Sequence, residues 1–409
     1  MKLGELIAEH GSPLWLADVD RFRVNLCDFR TAWREQWPGT RVAYSYKTNR
    51  LLAFLQAAEL DGACAEVVCE AEYRLAAGVV ETDPRSIVVD GPAKPDSLLA
   101  RAGAGGSLVL ADSAAELERA AAHGVRRIGL RVALQSFTGA RTRFGIPPGE
   151  VAAAARAAAG LGLSVEALST HLVSTDFDPR TGRVVVSWPR PPDEHARAAG
   201  TLAELAADLE ADGHAIAMID LGGGFPSAQH VHRHARAVAD VLRRAGFDGI
   251  LLLEPGRALA ADAVDLAFTV VAIKTLADGC RCLVCDAGTN LLPGALSAPP
   301  RLEAPDGRGV SSLALVTGPL CLNVDVLHPR AELPVLKPGD ALVARGVGAY
   351  QHACSTQFGE PRPAVLTCER GRWRLHQQAE SFEVPTDGDH CQAAAENTSR
   401  ITYSERGAR

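Results

Sequence analysis

The sequence lacks three features that mark other broad classes of protein. It has no excess of positive charge, since 42 lysines and arginines face 49 aspartates and glutamates, for a net charge of −7. That balance leaves no electrostatic footprint for nucleic acid. There is no run of about 20 apolar residues, so we expect no membrane-spanning helix. The first five residues include an acidic residue and precede no apolar core, so we expect no secretory signal.

The ten cysteines show no pairing pattern, which suits a reducing compartment, and we expect a cytoplasmic protein. Their densest group, at 280–285, lies along a predicted strand. There the odd spacing of Cys282 and Cys285 points the two side chains to opposite faces. A structural zinc site needs four convergent ligands. We therefore expect no metal site.

A repeating unit of a short apolar strand, a turn and an alanine- and leucine-rich helix fills the first part of the chain. An open doubly wound sheet would favour a glycine-rich phosphate loop after the first strand, and none is there. Eight strands alternating with helices instead predict a (β/α)8 barrel. The predicted strands span 42–46, 64–69, 86–91, 107–112, 128–132, 165–172, 216–221 and 250–254.

Beyond about residue 261 the helical runs give way to short β-prone pieces and turn pairs such as Pro338-Gly339. This change predicts a second, all-β domain, which an early strand near Trp15 is expected to join. We expect a loop insertion near the barrel mouth at 176–188. The predicted divisions are an N-terminal segment at 1–24, the barrel at 25–260, the β domain at 261–385 and a polar tail at 386–409.

Chemically active residues stand at the carboxyl ends of the predicted strands, which meet at one mouth of a barrel. Taken singly, Lys47 suits a solvated loop, His171 a core histidine, the three glycines at 222–224 a tight turn, and Glu254 with Arg257 an ion pair. Their joint occurrence in strand order points instead to one site.

The set suits pyridoxal phosphate (PLP). A desolvated lysine can act as a nucleophilic amine and form a Schiff base. Glycine amides, with Ser174 and Arg257, can bind a phosphate. Glu254 can keep a pyridine nitrogen protonated, and His171 can lie flat on the ring.

These residues belong to a longer ordered set of motifs, which resembles the fold-type III PLP-dependent decarboxylases over about residues 10–385. That group includes the diaminopimelate, ornithine and arginine decarboxylases. The motifs are Tyr-Ser-Tyr-Lys-Thr-Asn at 44–49, Gly-Pro-Ala-Lys at 91–94, Arg-Phe-Gly at 143–145, His171 with Ser174, Gly-Gly-Gly-Phe at 222–225, Glu-Pro-Gly-Arg at 254–257, Asp-Ala-Gly at 286–288, Gly-Pro-Leu-Cys at 318–321 and Gly-Ala-Tyr at 348–350.

The resemblance implies a PLP-binding barrel with a C-terminal β domain, as in the alanine racemase-like architecture. It makes Lys47 the Schiff-base lysine and places Glu72 near it. Cys321 resembles the cysteine that enters from the partner subunit and protonates the substrate carbon after CO2 leaves. A homodimer with shared active sites is therefore expected. The implied cofactor contacts are Lys47, Arg131, His171, Ser174, Gly222, Gly223, Gly224, Glu254, Gly256, Arg257 and Tyr350.

The substrate-reading positions depart from the family. Where related enzymes carry an acid for the distal amine of the substrate, this chain has Leu322, followed by Asn323. Leucine offers an ammonium no partner. Val173 also replaces the glycine that usually precedes the serine of the histidine motif. The residues expected to meet the substrate are Arg141, Arg143, Leu322, Asn323, Asp325 and His352.

The expected function is PLP-dependent decarboxylation of an α-amino acid that is a biosynthetic intermediate, such as a citryl-diaminopropionate conjugate of siderophore assembly. The alternatives are a diaminopimelate or ornithine decarboxylase, a decarboxylase of carrier-bound aminoacyl groups, a racemase, and a non-catalytic PLP-binding regulator. Racemases of this barrel type place an arginine at the pyridine nitrogen, so Glu254 favours decarboxylation.

Overall fold

Eight parallel strands close into a barrel in the computed structural model, which describes residues 2–134, 142–173, 175–178 and 180–382. The predicted (β/α)8 fold is therefore confirmed, and each of the eight predicted strands overlaps one barrel strand. In chain order the strands are β1 (Leu14–Asp18), β2 (Thr40–Ser45), β3 (Cys64–Val67), β4 (Ile87–Val89), β5 (Leu108–Ala111), β6 (Arg127–Arg131), β7 (Ser164–Ser169), β8 (Thr175–Asp178), β9 (Arg183–Val186), β10 (Met218–Asp220), β11 (Ile250–Leu253), β12 (Val264–Thr275), β13 (Arg281–Cys285), β14 (Arg301–Glu303), β15 (Arg308–Thr317), β16 (Val326–Val335), β17 (Ala341–Arg345), β18 (Ala364–Glu369) and β19 (Arg372–Gln377).

Strands β2–β7, β10 and β11 form the barrel, and helices cover it outside. In α2 the Asp18 side chain accepts a hydrogen bond from the Arg21 amide and caps the helix, while one apolar stripe faces inward. The helices are α1 (Leu3–His10), α2 (Val19–Arg34), α3 (Leu52–Leu60), α4 (Glu70–Leu75), α5 (Asp96–Gly105), α6 (Ala114–Ala122), α7 (Val151–Gly160), α8 (Pro192–Ala211), α9 (His232–Arg244) and α10 (Arg257–Ala260).

The barrel interior has an apolar floor and a polar mouth, because the inward-facing side chains are apolar along the strands and polar at their carboxyl ends. Because side chains two residues apart share a face, one phase of every strand points inward. Gly129 lies in that phase, where an added Cβ would come within 2.4 Å of the Leu110 side chain. The floor is the cluster Ala43, Val88, Leu108, Leu110, Ala167, Met218 and Leu252. Counting every second residue onward to the carboxyl ends of the strands, the inward-facing positions are Lys47, Glu66, Asp90, Arg131, His171, Asp220 and Glu254.

A second, mostly β part follows the barrel. Its main sheet has the order β16-β15-β13-β12-β1-β18-β19, with β14 and β17 branching from it. The early strand β1 pairs antiparallel with β12 and parallel with β18. The predicted division points along the chain stay predictions, and the predicted tail at 386–409 lies outside the described residues.

The insertion at 176–188 differs from the predicted loop, because β8 and β9 pair there as an antiparallel hairpin. The second strand, β9, is largely exposed, with Val184 at 63% and Val186 at 49%, so burial imposes no visible alternation on its sequence. None of the helices in the described ranges combines the length and the apolar content needed to cross a membrane.

Candidate active site

Lys47 follows β2 in the short 3-10 turn Tyr46–Thr48. Its Nζ donates hydrogen bonds to both carboxylate oxygens of Glu66, at 2.6 and 2.7 Å. Burial by itself lowers the pKa of Lys47, but the surrounding negative charges, first that of Glu66, raise its pKa above the ordinary value. The amine is therefore held as an ammonium, and it must lose a proton before it can act as a nucleophile.

Three buried carboxylates, Glu66, Asp90 and Glu254, face this lysine, with oxygens within 4.8 Å of one another. Burial raises the pKa of Glu254 to about 7. Oxygen Oε1 of Glu254 accepts no hydrogen bond from an N–H or hydroxyl group of the described residues, and neither does Oδ2 of buried Asp220. Burial, and then the charge of Glu254, raise the pKa of Asp220, so its carboxyl keeps a proton that it donates to Glu254. Glu254 can accept a further hydrogen bond from a bound molecule, since a carboxylate offers several acceptor sites.

Arg131, at the end of β6, is the second cation of the site. Its Nη1 lies 3.1 Å from both oxygens of Asp90 and 3.5 Å from Asp112 Oδ1. Its guanidinium also lies over the Phe144 ring, 4.7 Å from the centroid. Burial acts to raise the pKa of Asp90, but the charges of Arg131 and Lys47 lower it below its ordinary value. Arg131 and Asp90 thus form a fixed ion pair in the wall of the site.

His171 lies beyond the end of β7 with its ring toward Glu254. Its Nδ1 accepts a hydrogen bond from the Gly223 amide at 3.1 Å and is 3.9 Å from Glu254 Oε2. Burial lowers the pKa of His171 to about 4, so the ring is neutral at neutral pH. A neutral ring fixed by one hydrogen bond can pack against a flat ligand.

The glycine loop at 222–224 brings backbone amides to the same place. Gly224 has φ +89°, and a Cβ on Gly223 would lie 3.0 Å from the Glu254 carbonyl oxygen, so glycine suits both positions. The amides of Gly224 and Phe225 donate to no acceptor among the described residues. They are available to an anion.

Arg257, at the start of α10, adds a cation beside those amides. Its guanidinium lies between two aromatic rings, 5.1 Å from the centroid of Trp188 and 5.2 Å from that of Tyr350. Within the described ranges it forms no ion pair. Burial lowers the pKa of Arg257, although an arginine remains charged at neutral pH. An anion near the amides would neutralise this charge.

These groups enclose a cavity of about 540 Å³, called here the Lys47 cavity. Gly222 lies behind His171, where an added Cβ would come within 2.6 Å of Nδ1. Ser174 and Arg141, both predicted site residues, lie outside the described residues. The predicted residues that line the cavity are Lys47, Arg131, Arg143, His171, Gly223, Gly224, Glu254, Gly256, Arg257 and Tyr350.

Besides Gly222, the predicted residues of the Cys321 loop do not line the Lys47 cavity. Cys321, Leu322 and Asn323 are exposed. Asp325 is buried and accepts a hydrogen bond on each oxygen, from the Thr289 amide at 2.7 Å and the Leu320 amide at 2.8 Å. It therefore holds the loop that carries Cys321.

His352 is also absent from the lining of the Lys47 cavity. It packs edge-on against Trp15, with ring centroids 5.5 Å apart. Burial lowers the pKa of His352 to about 4, so its ring is neutral at neutral pH. Its predicted contact with the substrate stays a prediction.

Glu66, Asp90 and Trp188 belong to the site but were not predicted. Glu72, predicted near the loop that carries Lys47, lies 3.8 Å from Arg50 of that loop and accepts a hydrogen bond from the Val68 amide at 3.0 Å. The ion-pair partner of Lys47 is Glu66. The inward phase of β3 and β4 would have identified Glu66 and Asp90. Trp188 carries no such signal, because it follows an insertion.

Comparison with known proteins explains this arrangement. Residues 28–261, more than half of the chain, match the family model of the pyridoxal-binding domain of pyridoxal-dependent decarboxylases. The chain belongs to this family. It is a PLP-dependent amino-acid decarboxylase of fold type III.

Relatives cover most of this decarboxylase. The chloroplastic ornithine decarboxylase of Nicotiana glauca is 28% identical over 88% of this chain and 84% of its own length. The diaminopimelate decarboxylase of Methanothermobacter thermautotrophicus is 26% identical over 92% and 91%. Among solved structures, the diaminopimelate decarboxylase of M. jannaschii in complex with L-lysine has a TM-score of 0.83 at 21% identity, with 92% of each chain covered.

The cavity fits PLP, the cofactor of this family. Unpartnered amides and the unpaired guanidinium of Arg257 suit a phosphate. The buried carboxylate of Glu254 suits a protonated ring nitrogen, and Lys47 lines the same cavity. Each end of the cofactor thus finds a group of complementary charge.

Proposed function

We propose that Lys47 carries PLP as a Schiff base. In this arrangement Glu254 pairs with the pyridine nitrogen, and Arg257 with the glycine amides holds the phosphate. Bound there, the cofactor supplies an electron sink for the electron pair released as CO2 leaves. The buried carboxylate of Glu254 in the cavity wall supports its assignment, and the guanidinium of Arg257, unpaired within the described ranges, supports that of the phosphate. The remaining proposed contacts are His171 on the ring, Arg131 beside it, and Ser174, Gly222, Gly223, Gly224, Gly256 and Tyr350 around the phosphate.

We propose further that the substrate is an α-amino acid whose side chain carries a carboxylate and no terminal ammonium. The charges that line the cavity carry this proposal. Lys47 pairs with Glu66, and Arg131 with Asp90. Arg143 lies over the Phe144 ring at 4.3 Å and has no carboxylate partner among the described residues. An unpaired guanidinium at the cavity wall favours a substrate carboxylate.

Leu322 supports the same substrate class. It stands directly after Cys321 and is 44% exposed, and Val324 close by is 60% exposed. A substrate ammonium meeting this apolar segment would lose water without gaining a counter-charge. A citryl-diaminopropionate conjugate, which is rich in carboxylates, fits both Arg143 and Leu322. An amino acid tethered to a carrier protein is an alternative substrate outside this class.

A diaminopimelate- or ornithine-type activity is the second candidate, favoured by the relatives named above. The distal carboxylate of diaminopimelate would also suit Arg143. Its distal ammonium is the group that Leu322 disfavours, as is the side-chain amine of ornithine.

Release of CO2 from a substrate panel with added PLP decides between the candidates. The panel is lysine, ornithine, arginine, meso-diaminopimelate, glutamate and citryl-diaminopropionate. We expect turnover of the conjugate, with a KM raised about tenfold or more in Arg143→Gln. Arg156→Gln is the matched control, because Arg156 is an exposed arginine that pairs with Asp212. Preferred turnover of diaminopimelate or ornithine would overturn the proposed substrate class.

We also propose a homodimer with shared active sites. Cys321 is exposed and does not line the Lys47 cavity of its own subunit, so a role in protonating the substrate carbon requires a second subunit. Mixing Lys47→Ala with Cys321→Ala subunits should restore roughly a quarter of wild-type activity, because half of the random dimers then hold one complete site of two. Two inactive parents whose mixture stays inactive would contradict the shared site.

We infer a cytoplasmic location from the cysteines. All nine cysteines within the described ranges are free. Free thiols in this number suit a reducing compartment. Fractionation of the native host would test this inference, and recovery outside the cytoplasm would overturn it.

A further inference from the structure

The outer face of the glycine loop is bound by one segment, residues 188–195, which follows the β8–β9 hairpin. The Trp188 indole N–H donates to the Phe225 carbonyl oxygen at 2.8 Å, and the Arg190 amide donates to that of Gly224 at 3.0 Å. His195 Nε2 lies 3.1 Å from the Gly223 carbonyl oxygen. Burial lowers the pKa of His195 to about 4, and its neutral ring faces a carbonyl oxygen from each nitrogen, that of Gly223 being nearer than that of Pro191 at 3.4 Å. Three consecutive carbonyls of the glycine loop are thus each contacted by a group of this segment.

The direction of these carbonyls sets the direction of the amides. In a planar trans peptide the N–H points opposite to the preceding C=O. The amides of Gly224 and Phe225 therefore point away from His195 and the Arg190 amide, which bind the preceding carbonyls, and both residues line the Lys47 cavity. Those two amides have no acceptor among the described residues.

Trp188 also acts on the cation of this subsite. The centroid of its ring lies 5.1 Å from the Arg257 guanidinium, and that of Tyr350 lies 5.2 Å from it. Two aromatic faces hold a guanidinium by cation–π attraction without using its N–H groups. Arg257 therefore keeps its donors free for an anion in the cavity.

We propose that Trp188 is a positioning residue of the phosphate subsite. Its indole N–H fixes the ring to the glycine loop through the Phe225 carbonyl oxygen, and the ring so fixed packs against the Arg257 guanidinium, which Tyr350 also contacts. This inference rests on the proposed binding of the PLP phosphate at the glycine loop and Arg257. Replacing Trp188 should therefore weaken the affinity for the phosphate group of the cofactor and leave the affinity for its ring unchanged.

Trp37 offers a matched control. Its indole N–H also donates to a backbone carbonyl, that of Gly249 at 3.0 Å, and its ring stacks on Phe247. Trp37 precedes β2 and Gly249 precedes β11, so this contact lies at the amino ends of the strands, opposite the cavity. Loss of an indole hydrogen bond there tests a purely structural effect.

The experiment compares the Kd values of PLP and pyridoxal, which lacks the phosphate, by titrating cofactor-free full-length protein. We expect Trp188→Phe to raise the Kd of PLP roughly fivefold, since it removes one hydrogen bond, and Trp188→Leu roughly twentyfold, since it also removes the aromatic face. The Kd of pyridoxal should change less than about twofold in both. Trp37→Phe should leave the ratio of the two Kd values unchanged.

Arg257→Gln separates this inference from the proposed function. If Arg257→Gln raises the PLP to pyridoxal ratio of Kd values and both Trp188 variants leave it unchanged, the positioning role is overturned and the phosphate assignment stands. If Arg257→Gln leaves the ratio unchanged as well, the phosphate assignment itself fails. Should Trp188→Leu not fold, Trp188→Phe alone decides, because it keeps an aromatic ring in place.

Discussion

Two lysines of this decarboxylase are buried beside a glutamate, and they differ in what their ammonium groups contact. Lys94 donates hydrogen bonds to the carbonyl oxygens of Gly91 and Leu110, at 2.6 and 2.7 Å, and to Glu116 at 3.0 Å. Lys47 finds no acceptor other than Glu66 among the described residues. The Lys94 side chain is 0% exposed, and that of Lys47 is 30% exposed toward the cavity.

The difference distinguishes a structural lysine from a reactive one. Three acceptors use all three N–H groups of Lys94, so releasing its proton would break a hydrogen bond and leave Glu116 buried without a counter-charge. Lys47 has one partner and an open side. Pairing with a buried glutamate is therefore insufficient to identify a catalytic lysine. The number of other hydrogen-bond acceptors around the ammonium group is more informative.

The largest expected effect is the loss of Lys47. Lys47→Ala should abolish both decarboxylation and the absorbance of the cofactor–lysine Schiff base, because no other amine stands in the cavity wall. Absorbance spectra with added PLP measure this directly. Persistence of the Schiff-base band in Lys47→Ala would show that another lysine is the nucleophile.

Lys94→Met should keep the Schiff-base absorbance but lower the free energy of unfolding by about 3–5 kcal/mol, because it leaves buried Glu116 unpaired. Urea unfolding measures the loss. The double variant Lys94→Met/Glu116→Gln should recover part of it, since the uncompensated charge is then gone. A loss below about 1 kcal/mol in the single variant would contradict the structural role.

A third prediction compares the substitution of the glutamate in each pair, Glu66 beside Lys47 and Glu116 beside Lys94. Glu66→Gln removes the leading charge that raises the pKa of Lys47, so that pKa should fall. We expect the pH midpoint for the rate of Schiff-base formation with added PLP to move down by about one unit. Glu116→Gln is the control and should leave the midpoint in place. Equal midpoints in all three proteins would show that Glu66 does not control the ionisation of Lys47.

The smallest expected effect is on how the free energy of unfolding depends on pH, through Glu254 in the Lys47 cavity. Burial raises the pKa of Glu254 to about 7 from an ordinary 4.5, so the folded protein holds this proton more tightly than the unfolded chain. The resulting stabilisation is complete below pH 4.5 and is lost as pH rises through about 7.

Cofactor-free wild-type protein should therefore lose about 1–3 kcal/mol more unfolding free energy between pH 5 and pH 8 than Glu254→Gln. Urea unfolding at several pH values measures both profiles. Parallel profiles would mean that Glu254 is ionised throughout this range.

Most of the barrel was predictable because its signals are local. Each barrel strand is a short apolar run followed by a helix, and that alternation predicts the fold. The strands that escaped prediction have weaker local patterns. β16 contains Pro329 and Pro334 and lies at one edge of its sheet, where prolines are tolerated, and β19 forms the other edge. The hairpin strand β9 is largely exposed, so burial imposes no alternation on its sequence.

The sequence by itself determined which residues could share the mouth of the barrel. A period of two along each strand assigns Lys47, His171 and Glu254 to the inward phase without knowledge of the folded chain. Only the tertiary structure decided which of them meet. Barrel closure places Glu66, and not Glu72, against Lys47, and packing of the insertion places Trp188 over Arg257. Backbone geometry sets the phase locally, whereas contacts between distant segments depend on how the closed barrel and its loops pack.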